Sequence, residues 1–191
     1  MTIGQPSLFA IESSITEAYD RRSLLALGYF ALHIGGLVYG QIASDSTLLA
    51  CSFDEVERRI AERGTHVAPF QSENSTEIAN AFRSAMYSDE PLPRYFTLEY
   101  REFADTIRSR RIVWAPDGDE AFDDSSYVLQ FDVGDLVRLI AFRCPSGMYH
   151  DSPSLRDVYL PADDYYGILR NWHAAFKAEW AAMPKLHVEG T

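Results

Sequence analysis

Between Leu8 and Ile15 apolar and polar side chains alternate, with Phe9, Ile11 and Ser13 on one side of an extended chain and Leu8, Ala10 and Glu12 on the other. That two-residue period predicts a strand over Leu8–Ile15. Pro6 stands just before it, where a strand can begin without losing a ladder bond. The apolar run Leu25–Ile34 is followed by Gly35-Gly36 and then by Leu37-Val38-Tyr39. Two glycines between apolar runs signal a hairpin, because tight primed turns need positive φ, so residues 26–42 are expected to form one.

The period then lengthens. In "STLLACSFDEVERRIAERG", Leu49, Phe53, Val56 and Ile60 fall on one helical face. Ser52 and Glu55 have the spacing of a capping box, and Gly64 supplies a stop. Asp54/Arg58 and Glu55/Arg59 are i,i+4 pairs on what should be the solvated face. Thr47–Cys51 fits either the start of this helix or a short strand before it. Residues 66–75 read as loop. Ile78, Phe82 and Ala85 predict a helix over Thr76–Tyr87, which the prolines of "SDEPLPR" end. Phe96, Tyr100, Phe103 and Ile107 predict another over Leu98–Arg110, so residues 52–110 form a mostly helical insert between two β regions.

Strand character returns with Ile112–Trp114. "YVLQFDVGDLVRLIAF" reads as a second hairpin around Gly134-Asp135, and "LRDVYL" as a strand over Leu155–Leu160. Pro161 suits a first helical turn, with Asp163 and Asp164 where carboxylates favour a helix start. Ile168, Leu169, Trp172, Phe176 and Trp180 make a wide apolar stripe on a helix ending near Met183, and residues 184–191 are a tail. The pattern as a whole predicts an α+β fold in a single domain, 1–191. An antiparallel sheet of about five to seven strands, built from both hairpins, should carry helices on one face and a long C-terminal helix.

Composition narrows the function. A net charge of −11 repels phosphate backbones and disfavours nucleic acid as a partner. No apolar run is long enough to span a bilayer, so no membrane role is expected. Nothing at the N-terminus reads as a signal peptide, which places the protein in the cytoplasm. Cys51 and Cys144 match neither a zinc spacing nor a C-x-x-C motif, and both are expected to be buried apolar thiols. The five histidines include no i,i+3 or i,i+4 pair, and no nucleophile elbow, P-loop or dinucleotide fingerprint occurs. "DGDEAFDD" at Asp117–Asp124 fails the EF-hand pattern, with its glycine second rather than sixth. The sequence therefore assigns no catalytic residue, cofactor or metal site.

One charge feature stands out. Between Ile112 and Val137 lie seven acids, Asp117, Asp119, Glu120, Asp123, Asp124, Asp132 and Asp135, and no lysine or arginine. One reading is a solvated loop. The other is a docking surface for a cationic partner, formed by Asp117, Asp119, Glu120, Asp123 and Asp124 with Tyr127 and Tyr39 as aromatic neighbours. A third possibility is a small-molecule enzyme or ligand-binding module, with His33, Tyr39, Asp132 and Arg138 converging if the two hairpins pair.

"IGQPSLFAIES" at residues 3–13, followed by "LGYFALHIGGLVYG" at 27–40, resembles the start of the Imm42 family of bacterial immunity proteins, encoded beside polymorphic toxins. "YVLQFDVGDLVRLIAF" and "LRDVYLPADDYYGILRNW" are similar to that family's later hairpin and its last strand and helix. The likeness covers residues 3–42 and 126–180. It implies a non-enzymatic cytoplasmic protein that binds a cognate toxin and blocks it, by plugging or by charge-complementary masking of its active site. A cationic nuclease is the toxin chemistry that the acidic surface would suit. The resemblance carries over no toxin-contact residue and leaves the oligomeric state open.

Overall fold

The computed structural model describes residues 1–115, 120–144 and 152–187. Among the described residues two main sheets, a small two-stranded one and four α-helices give the expected α+β class, but the two hairpins lie in different sheets. The N-terminal sheet runs β1 (Thr2–Gln5), β2 (Phe9–Tyr19), β3 (Ala26–Ile34) and β4 (Leu37–Tyr39), with β5 (Thr47–Leu48) also pairing β3. Gly35 and Gly36, at φ +56° and +81°, make the β3–β4 turn as the glycine pair predicts. Helix α1 (Ala50–Ala61), helix α2 (Ser75–Tyr87), the small hairpin β6 (Arg94–Tyr95) and β7 (Leu98–Glu99), and helix α3 (Tyr100–Ser109) follow. The C-terminal sheet is ordered β11-β10-β9-β8, from β8 (Val113–Ala115), β9 (Ser126–Val133), β10 (Leu136–Arg143) and β11 (Arg156–Pro161). Helix α4 (Ala162–Ala182) and a short β12 (Lys185–Leu186) complete the order.

The C-terminal sheet is buried on both faces, and this organises everything else. Along β9, Tyr127, Leu129 and Phe131 join a core made with α2 and α3, through Ile78, Phe82, Phe103 and Ile107. From the other face, Val128, Val137, Leu139 and Ala141 join a second core with Phe9, Ile11 and Phe30 of the N-terminal sheet and Tyr165, Leu169, Trp172 and Phe176 of α4. Helices α2 and α3 are thus the outer cover of one sheet, while α1 packs with α4 and the two sheets in the second core.

Local details depart from the sequence pattern in instructive ways. Ser52 is not a cap: α1 begins earlier, with Leu49 at the cap position, and the Ser52 hydroxyl is buried inside the helix. Arg59 does not lie on a solvated face but is fully buried, and Arg58 pairs with Glu55 at 2.7 Å rather than with Asp54. Helix α2 does have a true cap, the Asn74 side chain accepting from the Thr76 N–H at 2.9 Å. Leu98 and Glu99, expected at the start of α3, instead pair with β6. The tail contributes a short strand, Lys185 and Leu186 pairing in parallel with Ala18 and Tyr19. Cys144 is buried as expected, but Cys51 is exposed on α1.

The stripe on α4 packs as the spacing predicts. Asp163 and Asp164 occupy its first turn, favourable to the helix dipole. Trp172 is fully buried, edge-on to Phe30 at 5.1 Å, and its indole N–H donates to the Ser13 hydroxyl at 2.9 Å across the interface with β2. Trp172→Ala would remove both the packing and the donor. It should cost about 3–5 kcal/mol, measured as a lowered midpoint in urea unfolding with little change in slope.

Candidate partner-binding surface

The acidic run does not behave as a unit. Asp117 and Asp119 lie outside the described residues. Glu120–Phe122 is a short 3-10 turn whose buried members, Ala121 and Phe122, pin it to the core. Phe122 meets Phe30 edge-on at 6.2 Å, and the Ala121 carbonyl accepts from the Gln41 N–H at 2.8 Å. This anchoring turns Glu120 and Asp123 out into solvent at the edge of the N-terminal sheet. Asp124, by contrast, is built into the fold. Its carboxylate accepts from the backbone N–H of Gly40 and of Ser126, and pairs with Arg143 at 3.1 Å.

Tyr39 and Tyr127, expected as aromatic neighbours on the surface, are both buried, and so is Tyr95. The Tyr39 hydroxyl donates to the Ser154 carbonyl at 2.5 Å, while the Arg143 guanidinium lies 5.4 Å from its ring. Burial raises the Tyr39 pKa far beyond its ordinary value, so the hydroxyl remains a donor. Tyr127 stacks on Phe142 and accepts from Arg83. Alternation on the two strands accounts for this: Tyr39 and Tyr127 fall on positions that face the two cores, a fact that the aromatic content of a hairpin does not reveal.

The possible catalytic set is dispersed. His33 lies on the outer side of β3, Tyr39 in the core, and Asp132 and Arg138 on opposite faces of the C-terminal sheet. Arg138 is occupied by a bidentate pair with Asp157, at 2.7 and 2.8 Å. Among the described residues no group of three or more His, Cys, Asp or Glu side chains is placed to hold a metal ion.

What the sequence did not announce is a buried polar chain between α1, β9 and α4. Gln130 points into the core beneath α4, where its side-chain oxygen accepts from Arg59 at 2.8 Å and from Tyr165 at 2.5 Å. Its amide donates to Tyr166 at 2.9 Å, and the Tyr166 hydroxyl donates to Asp132 at 3.0 Å. Asp132 also receives the backbone N–H of His66 at 3.0 Å and lies 3.1 Å from the His66 ring nitrogen Nδ1. The members of the chain bond chiefly to one another in the interior, and it reads as scaffold.

A groove of about 510 Å³ opens between α1 and α3, lined by Cys51, Asp54, Arg58, Arg108, Arg111 and Trp114 among others. The outer face of the N-terminal sheet is different in kind. Glu12, Ser14, Leu27, Tyr29, His33 and Val38 lie on it, opposite the face on which α4 packs, and none of them belongs to either core. Near its centre Glu12 accepts from the Tyr29 hydroxyl at 2.9 Å and lies 2.7 Å from His33 Nε2. Partial burial alone would raise the Glu12 pKa, but the hydrogen bonds from His33 and Tyr29 outweigh it and hold the carboxyl below its usual range.

Comparison with known proteins gives two findings. The model of the family described as immunity protein 42, Imm42, matches residues 1–175. A solved structure, that of CdiI from Burkholderia dolosa AUO158, superposes with a TM-score of 0.57 at 17% identity, covering 92% of this chain and 99% of the other. A search of curated proteins found no match. No helix among the described residues is long and apolar enough to cross a membrane.

Burial would raise the pKa of Asp132, but the His66 side chain and backbone and the Tyr166 hydroxyl outweigh it and hold the carboxyl below its ordinary value of 3.8. A carboxyl lowered in the folded state contributes stability that is present above its unfolded pKa and lost as pH falls through the folded one. Asp132→Asn should therefore destabilise by about 1–3 kcal/mol at neutral pH. The gap from the wild type should narrow as pH falls below that ordinary value, as read from thermal melts between about pH 7 and pH 2.5.

Proposed function

Because the chain belongs to the Imm42 family of immunity proteins, which neutralise toxins, we propose that it captures a cationic toxin through the acidic edge of its N-terminal sheet and acts by covering surface rather than by catalysis. The observation that carries this reading is the anchored turn at Glu120–Phe122. Two buried apolar side chains hold it rigid while Glu120 and Asp123 face solvent, with no ion pair to neutralise them among the described residues. A fixed, unneutralised carboxylate pair loses little entropy on meeting a basic surface, and in a chain of net charge −11 it adds to a long-range attraction. The dispersal of His33, Tyr39, Asp132 and Arg138 favours binding over chemistry. We place the action in the cytoplasm of the producing cell, on a protein toxin rather than on nucleic acid or membrane, as the family resemblance and the charge imply.

The test uses the toxin domain encoded beside this chain's gene. A stoichiometric complex should form, with association slowing steeply as salt rises. Charge reversal of Glu120 and Asp123 to Lys should slow association by about tenfold or more at low salt while leaving the melting temperature unchanged, since exposed carboxylates contribute little to stability. Asp124 is excluded from the series because its loss would free Arg143 and the Gly40 N–H. An association rate indifferent to salt and to both reversals, in stopped-flow mixing, would remove the acidic edge from the interface. Failure of the wild-type protein to bind that toxin would remove the partner.

A further inference from the structure

Nearly every aromatic ring in the described residues is used by the fold. Each Phe, Tyr and Trp ring other than two either meets another ring or lies beside an arginine or lysine cation. The two exceptions are Tyr19 and Tyr29. Both lie on the outer face of the N-terminal sheet, and both have the same partner chemistry. The Tyr29 hydroxyl donates to Glu12 at 2.9 Å, and the Tyr19 hydroxyl donates to Glu17 at 2.7 Å.

Register explains how the pair of pairs arises. Ser14 faces Tyr29 across β2 and β3, so Tyr29 is one step along the same face from Glu12. The ladder shifts between Ile15 and Glu17, and this bulge restores the outward direction for Glu17 and Tyr19 after Thr16. Ala18 opposite Ala26 is buried in the core, so the neighbouring Glu17 and Tyr19 must point the other way. Along the strand, Glu12 and Tyr19 are seven residues apart, roughly 23 Å at about 3.3 Å per residue. That span is of the order of a standard protein interface.

We propose that these two tyrosine–glutamate pairs are seats for two basic side chains of the toxin, each cation lying over a tyrosine ring and against its glutamate. Both halves of each pair suit this occupant. A tyrosine face attracts a cation, and the adjoining carboxylate neutralises it with directed hydrogen bonds. Holding the hydroxyl on the carboxylate fixes the ring before the partner arrives, which lowers the ordering cost. Burial, then Glu12, raises the pKa of Tyr29, so its hydroxyl stays a donor and Glu12 stays the anion. The occupant is cationic because the face is acidic: Glu12, Glu17, Asp20 and Asp45 belong to it or its rim, and the edge at Glu120 and Asp123 is tied to it through Gly40 and Gln41. This docking face rests on the toxin-binding reading above and names the chemistry it would use.

The experiment measures binding of the same adjacent-gene toxin domain. Tyr29→Ala and Tyr19→Ala should each weaken Kd by about 5- to 30-fold, chiefly through faster dissociation, whereas the Glu120 and Asp123 reversals act on association. Tyr29→Phe, which keeps the ring, should retain most of the affinity. Leu92→Ala, on the exposed helical insert, should change nothing. In the wild-type complex, ring NMR signals of Tyr19 and Tyr29 should shift on toxin addition and those of buried Tyr39 and Tyr165 should not; this readout needs no variant to fold. Complex formation with both alanine variants at unchanged Kd, or with unmoved Tyr19 and Tyr29 signals, would overturn the docking face while leaving the toxin reading intact. No complex with the wild-type protein would overturn both.

Discussion

The guanidinium of Arg59 is the point on which the layers of this protein depend. It has no contact with solvent, yet it sits where α1, β8, β9 and α4 meet. Its donors reach the Gln130 side chain at 2.8 Å, the Val113 carbonyl at 2.7 Å and the Arg111 carbonyl at 3.3 Å, and its Nε pairs with Glu55 at 2.9 Å. Its charge lies 5.0 Å from the centre of the Trp114 ring. Burial pulls its pKa down, and Tyr165 and the Glu55 carboxylate oppose that pull. A charge in this position is tolerable only when it is paired and hydrogen-bonded, so the elements that supply its partners are tied to one another. The carbonyls of Arg111 and Val113 are particularly telling: Arg59 fixes the entry of the chain into the C-terminal sheet just after the helical insert ends.

That attachment matters because the C-terminal sheet has two apolar faces to satisfy. One is covered by α2 and α3, the other by the N-terminal sheet and α4. Gln130 and Asp132 break the apolar pattern on the second face, and their cost is offset by Arg59, Tyr165, Tyr166 and His66. The polar chain therefore sets how α1 and α4 lie on the sheet, in the way that a buried polar contact selects one arrangement among several that hydrophobic burial alone would allow. Trp172 performs the matching task on the other side, its indole tied to Ser13 of β2.

Much of this was legible in the sequence and some was not, for reasons that the residues themselves make plain. Both hairpins followed from glycine turns between apolar runs, and the α4 stripe followed from period and caps, because these signals are local. The division into two sheets was not legible, since nothing local says which strands pair across the fold. Arg59 was misread because an i,i+4 partner, Glu55, is present in either environment; only the polar positions at Gln130 and Asp132 of an otherwise apolar strand hinted at a buried counterpart. Ser52 has the capping spacing, but α1 starts three residues earlier because Leu49, just after β5, is already turned into the helical region. In the candidate site, Glu120 and Asp123 emerged from the charge run, whereas Tyr39 and Tyr127 were placed on the wrong side by reading aromatic content without strand parity. Glu12 and Tyr29 were hidden because they stand on different strands, β2 and β3, and meet only once the register between those strands is known.

A protein that works by occupying another's surface needs rigidity behind and unspent chemistry in front. The first requirement is met by the two-sided sheet and the Arg59 junction, which leave α4 no freedom relative to β2. The second is visible in what the fold declines to use. Its aromatic rings are consumed by packing with near completeness, and its buried acids are bound by donors, yet Tyr19 and Tyr29 on the outer face of the N-terminal sheet, and Glu120 and Asp123 at its edge, remain with their contacts unmade by the core. Strands are a firmer mount for such groups than a loop, because the ladder fixes each side chain's direction and spacing. The constraint that buries Arg59 and the availability of the outer face are therefore two consequences of the same layering: with α4 and the C-terminal sheet committed to the inner face, the outer face is where a partner can be met without disturbing the core.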